Sequence, residues 1–246
     1  MGISVPEQMG IEGDQEAMSD LEILQSGEIE VTHRLVDASN ATLFGRIEGF
    51  GEVIYKPIAG ERPLWDFPDG TLADREVAAY KVSEILGLNL VPMTVLREGP
   101  FGTGMVQRWI SIDSKADIIA FGQGGDAQLR LMALFDAMIN NTDRKFGHLL
   151  LDLHGRLFGC DHGVTFHMED KLRTVLWQFA GDPMNEDEMR TLTRTFENEL
   201  RIRSELSSHL HADEIEAFFD RSRKLAESGL FPMPHDEWPS VPWPPV

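Results

Sequence analysis

Cysteine is nearly absent: the 246 residues include one, Cys160, which excludes an internal disulfide and any zinc site built on several thiolates. Such usage fits a reducing compartment, and a lone thiol is expected here as a small buried apolar residue. Basic residues are scarce too. Twenty-two Lys and Arg stand against 41 Asp and Glu, a formal net charge of −19. A field of that sign repels phosphate backbones and anionic lipid surfaces, and no basic patch along the chain offsets it, so neither nucleic-acid binding nor stable membrane insertion is expected. Long apolar runs are also missing. The richest stretches, around LMALFDAMI and GHLLLDL, fall far short of the roughly 20 residues a membrane helix needs. The opening MGISVPEQMGIEGDQEAMSD has neither the basic nor the apolar region of a secretory signal. These absences predict a cytoplasmic protein. What remains, 42% hydrophobic and 26% charged residues, is an ordinary globular composition, long enough for one large domain or two small lobes.

The pattern along the chain divides it in two. Residues 1–20 are acidic and aperiodic and read as a flexible arm. Structure is expected to begin near Leu21, and from Gly27 to about Leu96 the text reads mostly as strands: EIEVTHRLV alternates, RIEGFGEVIYKP is a hairpin pattern around glycines, and NLVPMTVL and GMVQRWISI look like two further strands, joined by REGPFGT. One helix interrupts them, TLADREVAAYKVSEILG, with Ala78, Val82 and Ile85 on one face and Gly87 as its stop. Beyond Asp113 the pattern turns helical. DAQLRLMALFDAMINN puts Leu131, Leu134, Phe135, Met138 and Ile139 on a broad apolar face. A polar loop, NTDRKFG, leads into GHLLLDLHGRLFGCDHG, two short strands joined by LHG, and helices are expected near Glu186–Leu200 and Ala212–Ser228. Residues 231–246, rich in Pro and Trp, cannot be helix or central strand; they drape over the surface or dock through Trp238 and Trp243. The reading is an α+β fold of two lobes, β-rich then helical.

Phosphoryl transfer from ATP needs a cation on the phosphates, a carboxylate for the metal, a carboxylate beside the attacking hydroxyl and a loop over the nucleotide. Lys56 ends a predicted strand, Glu76 lies in the first-lobe helix, Asp143 follows the buried helix, and Asp161 ends the second hairpin strand. The ordered strings YKP, REVAAY, VPMT, NTDRKFGHLL and CDHGVTF, spanning about residues 38–166, resemble the phosphatidylinositol 3- and 4-kinase superfamily. The likeness is greatest to type II phosphatidylinositol 4-kinases and HipA-like kinases.

The resemblance implies a two-lobed protein-kinase-like fold, with residues 21–105 as the nucleotide-binding N-lobe and 106–230 as a C-lobe holding the catalytic loop and metal site. It implies ATP with Mg²⁺, Mn²⁺ being possible. Lys56 would contact the phosphates with Glu76 as its partner, and Asp143 would act on the acceptor hydroxyl with Arg144 beside it. Asp161 would hold the metal. The loop carrying Ser39, Asn40 and Thr42 would cover the phosphates, and Met105, Val106, Gln107 and Trp109 would meet adenine through main-chain groups. One departure stands out: His148 occupies the place where the family has a metal-binding Asn, so metal preference is open, since Mn²⁺ tolerates nitrogen better than Mg²⁺ does. The expected function is a kinase acting on an unidentified hydroxyl-bearing acceptor, whether small molecule, protein or inositol lipid. The alternatives are a nucleotide-binding pseudokinase and nucleotidyl transfer to protein. The histidines 148, 154, 162 and 167 match no common zinc spacing.

Overall fold

The computed structural model describes residues 18–35, 40–235 and 238–246. Most of the expected arm therefore lies outside the described residues. The alternating segments form a five-stranded antiparallel sheet from β1 (Ile29–Arg34), β2 (Leu43–Ile47), β3 (Gly51–Pro57), β4 (Thr94–Gly99) and β5 (Gly102–Arg108), in the order β1-β2-β3-β5-β4. The period-two geometry of β3 gives its side chains two destinations. Val53 and Tyr55 join Ile47, Val95 and Val106 beneath Leu24 of helix α1 (Asp20–Ser26). Lys56 faces the other way, toward α2 (Leu72–Ile85), whose Ala73 and Val77 pack on Met105 of β5.

The second lobe comprises α3 (Ile118–Gly122), α4 (Ala127–Ile139), the hairpin β6 (Leu149–Leu151) and β7 (Leu157–Gly159), then α5 (Glu186–Glu197), α6 (Glu199–Leu206) and α7 (Ala212–Ser228). Leu134, Phe135, Met138 and Ile139 of α4 are fully buried in one core with Leu192 of α5, Ile202 of α6, and Phe218 and Phe219 of α7.

The sequence reading needs five corrections. Helix α1 was not expected: Ser19 and Glu22 form a reciprocal capping box that starts it inside the supposed arm. The connection around REGPFGT is tighter than expected, because β4 runs to Gly99 and β5 begins at Gly102. Since β5 continues to Arg108, a lobe boundary at 105/106 would cut a strand, and the sheet moves it past Arg108. The helix at Glu186 stops at Asn198 and restarts as α6. In the tail, Trp238 packs by Trp65 at 6.1 Å between ring centroids, whereas Trp243 is 86% exposed and docks nowhere.

The lobes meet through a buried ion pair. Arg75 of α2, 1% exposed, sets Nη2 2.5 Å from Oε1 of Glu214 in the first turn of α7 and donates Nη1 to the carbonyl of Thr165 at 2.6 Å. The other Glu214 oxygen accepts from the backbone N–H of His211, closing the α7 capping box. Removing one member of such a pair strands a buried charge, which costs about 3–5 kcal/mol, whereas replacing both members by apolar side chains is often neutral. Glu214→Ala is therefore expected to lower urea-unfolding stability by about that amount, and Arg75→Met with Glu214→Leu to recover most of it. A Glu214→Ala loss below about 1 kcal/mol would show that the pair does not tie the lobes.

Candidate active site

Two of the expected carboxylates converge on the ammonium of a third expected residue. Lys56 Nζ lies 2.7 Å from Oε1 of Glu76 and 2.7 Å from Oδ1 of Asp161, so a sheet lysine bridges a carboxylate on α2 and one from the segment after β7. Glu76 is 2% exposed, and its second oxygen accepts the backbone N–H of His162 at 2.9 Å. The second oxygen of Asp161 is 3.4 Å from Nε2 of His148. Burial alone would lower the Lys56 pKa, but the charges of Asp161 and then Glu76 reverse that and raise it. Lys56 in turn holds the Asp161 carboxyl well below the usual carboxylate range, against the opposing effect of burial. Asp161 has φ +60°, a left-handed backbone that non-glycine residues adopt rarely and that occurs at functional sites.

His148 is kept largely neutral by burial, against the pull of Asp161, and so can offer a lone pair. The charges of Asp143 and Lys145 also act on it, in opposite directions. Asp143 Oδ2 is 3.1 Å from Lys145 Nζ, and the Asp143 N–H donates to the Asn141 side chain at 3.0 Å. Lys145 escaped the sequence reading, although its place two residues after the loop aspartate was a usable signal.

Arg144, expected among the catalytic residues, touches nothing that could be substrate. It is fully buried, and all five of its N–H donors are spent. Nε and Nη2 grip both oxygens of Asp136 at 2.9 and 2.8 Å, Nη1 donates to the carbonyls of His148 and Cys160, and Nη2 also donates to Nε2 of His162 at 2.8 Å. Since arginine cannot accept, Nε2 of His162 carries the lone pair and the ring is neutral. Burial first, then the Arg144 charge, pushes its pKa well down. Arg144 is thus a positioning residue. Cys160 is half-buried, and burial pushes its thiol up to about 12, so it is no nucleophile at neutral pH.

The nucleotide-covering loop is described only in part, and Ser39 lies outside the described residues. Asn40 lines a small cavity of about 20 Å³ with Lys56, Glu61, Glu76 and Asp161. Thr42 is buried, its hydroxyl turned to the Asn40 carbonyl. The loop sits directly on Gly60, where a Cβ would fall 2.4 Å from that of Ala41. Glu61, not singled out from sequence, caps α2 by accepting the N–H groups of Leu72 and Ala73 at 3.2 and 2.9 Å, a task Thr71 leaves undone.

The expected adenine contact needs correction. Met105, Val106 and Gln107 lie in β5 between β3 and β4, so the sheet ladders occupy their main-chain groups. Met105 pairs with Lys56 and walls the site behind it, Val106 points to the opposite face, and the Gln107 amide donates to Thr94. The Trp109 N–H bonds to the Glu52 carbonyl and its ring packs edge-on against Phe44.

Asp136→Ala should leave Arg144 buried without its partner, lowering unfolding stability by about 3–5 kcal/mol. Arg144→Lys keeps the charge but offers three donors where five are used, and is expected to destabilise by roughly 2 kcal/mol or more in the same urea titration. Arg144→Lys at wild-type stability would contradict the positioning role.

No family model matches the chain. A structure of the Golgi casein kinase with Mn and ADP bound superposes with a TM-score of 0.58 at 14% identity, covering 86% of this chain and 74% of that one. Hydra Fam20, solved with sugar, gives 0.56 at 15% identity, covering 89% and 90%. Identity that low speaks to the fold alone, and the fold is kinase-like and two-lobed. By sequence, Protein Rv2133c of Mycobacterium tuberculosis is 38% identical over 262 residues, covering 90% of this chain and 94% of the relative. Such identity over nearly the full length of both proteins places the chain in the Rv2133c family.

Proposed function

We propose that the chain is an ATP-dependent phosphotransferase that moves the γ-phosphoryl group to a hydroxyl acceptor. The observation that carries this reading is the single ammonium of Lys56 shared, at 2.7 Å each, between Glu76 on α2 and Asp161 beyond β7. A triphosphate demands cations at its oxygens, and Lys56, oriented by buried Glu76, is placed to meet it. Its partner Asp161 is held ionised and so is ready to serve as an oxygen ligand.

Asp161 and His148 suit a divalent ion: a carboxylate oxygen and a neutral imidazole nitrogen 3.4 Å apart. Among the described residues no three His, Cys, Asp or Glu side chains gather as a cage, so phosphate oxygens would complete the coordination, as they commonly do for Mg²⁺. The nitrogen donor favours Mn²⁺ more than the usual Asn would. Such an ion supplies neutralisation of phosphate charge. Asp143 accepts the acceptor's hydroxyl proton, and Lys145 beside it stabilises the charge on the transferring group.

The acceptor is a small molecule, a protein or an inositol lipid. The formal charge of −19 weighs against approach to an anionic membrane, and no helix among the described residues is long and apolar enough to cross one. His148 in the place of Asn favours a second reading, a nucleotide-binding pseudokinase.

The test follows ³²P from γ-labelled ATP, with Mg²⁺ or Mn²⁺, into protein, lipid and small-molecule fractions. The wild-type chain should transfer label, and Asp161→Ala and Lys56→Met should lose roughly 100-fold or more of the rate. Undiminished transfer by Asp161→Ala sinks the metal assignment. ATP retained in calorimetry without any label moving supports the pseudokinase, and label moving from α-labelled ATP supports nucleotidyl transfer.

A further inference from the structure

We propose that the helical lobe carries a second ligand site, for a small organic anion: a carboxylate on an apolar ring-sized body. A cavity of about 260 Å³ opens where the C-terminal half of α7 meets the end of α4 and segments 170–177 and 232–235, and it shares no lining residue with the Lys56–Asp161 cluster. Much of its wall is apolar, from Trp177, Leu172, Leu225 and Met233.

Its polar lining sets two cations, Arg221 and Lys224, against one carboxylate, Asp170, beside Asn140 and His235. Arg221 lines the cavity while only 6% exposed; Nε donates to the Met138 carbonyl at 3.2 Å and Nη1 to the His167 carbonyl at 3.0 Å. Nη2 is buried with no hydrogen-bond partner among the described residues. Among the described residues Asp170, 48% exposed, is the one carboxylate in reach, and it stands off: 3.9 Å from Arg221 Nη1 and 3.7 Å from Lys224 Nζ. Asp220, next in sequence to Arg221, is committed to Arg223 at 2.6 Å. Two cations thus share one distant carboxylate, in a chain whose overall charge is strongly negative. Burial lowers the Arg221 pKa to about 10, against the pull of Asp170 and Asp220, as expected of an under-compensated charge.

A buried guanidinium in the wall of a cavity, with one nitrogen left unpartnered, matches a planar carboxylate, with Lys224 as a second point charge among the lining residues. Tryptophan and aliphatic walls take the apolar body, the usual make-up of a small-molecule site. A bare inorganic anion would leave those walls unfilled.

The test titrates the full chain, labelled with ¹³C-methyl methionine, with 3-phenylpropionate, 3-phenylpropan-1-ol and inorganic phosphate. The Met233 methyl signal, assigned with Met233→Leu, and calorimetric heats are the readouts. The acid should shift Met233 saturably, roughly tenfold more tightly than the alcohol, while phosphate leaves it unmoved. Lys224→Glu, at a side chain 72% exposed, should weaken the acid about fivefold or more, and Arg221→Met further still. If Arg221→Met fails to fold by circular dichroism, Lys224→Glu decides. No Met233 shift with millimolar acid, equal affinity for acid and alcohol, equal binding of phosphate, or unchanged affinity in Lys224→Glu would each overturn the proposal.

Discussion

The geometry of the site depends on one buried cation. A guanidinium taken out of water is stable only where its charge is paired and its donors are used, and Arg144 meets that demand with Asp136 of α4, the carbonyls of residues 148 and 160, and the ring of His162. Those acceptors belong to three stretches of chain, so shifting any stretch would break a bond in a low-dielectric interior. Asp143 is the neighbour of Arg144, and residues 160 and 162 flank Asp161. Fixing the arginine therefore fixes both carboxylates relative to each other.

A second constraint joins that frame to the sheet. Arg75 and Glu76 are adjacent on α2, and successive helical residues point about 100° apart. Arg75 reaches Glu214 and Thr165 in the helical lobe, while Glu76 accepts from Lys56 of the sheet and from the backbone of His162. One helix turn thus sets the distance between the lysine and the Asp161 segment. The lysine is the adjustable part. Its side chain is 19% exposed, and in the proposed reaction it would trade Asp161 for phosphate oxygens while Glu76 still holds it.

Much of this was legible in the residues. Strand alternation showed the sheet and the buried face of α4 showed the helical lobe, because periods of 2 and 3.6 report which faces meet the core. Lys56, Glu76 and Asp161 were legible as an ordered set, and they do meet. What stayed hidden depended on tertiary context. Arg144 in a loop gives no sign that Asp136, eight residues earlier on a helix, will bury it. The main-chain groups of Met105–Gln107 carry no mark of lying between two strands rather than at an edge. Helix α1 was the avoidable miss, since Ser19 and Glu22 have the spacing of a capping box. Trp243 was misjudged because composition alone does not say which face of an irregular segment meets the protein.

The Pro- and Trp-rich tail is best understood through the hydrogen bonds it supplies. Proline removes donors but leaves carbonyls, so such a segment is a source of acceptors for loops that have spare N–H groups. The Pro245 carbonyl accepts from the N–H of Phe146, within the same loop as Asp143 and His148. The Ser240 carbonyl accepts both the Thr174 N–H at 3.0 Å and the Trp177 indole N–H at 2.7 Å. Lys171, buried between the rings of Trp65 and Trp238 at 4.9 and 5.3 Å, ties the same tail to the segment preceding α2. Since Thr174 forms an isolated parallel bridge with Arg144, the tail braces, through Thr174, the segment that the arginine braces from within. The loop bearing the proposed acceptor-side aspartate is thereby held from both sides, with the ammonium of Lys56 left as the place where the proposed site can adjust.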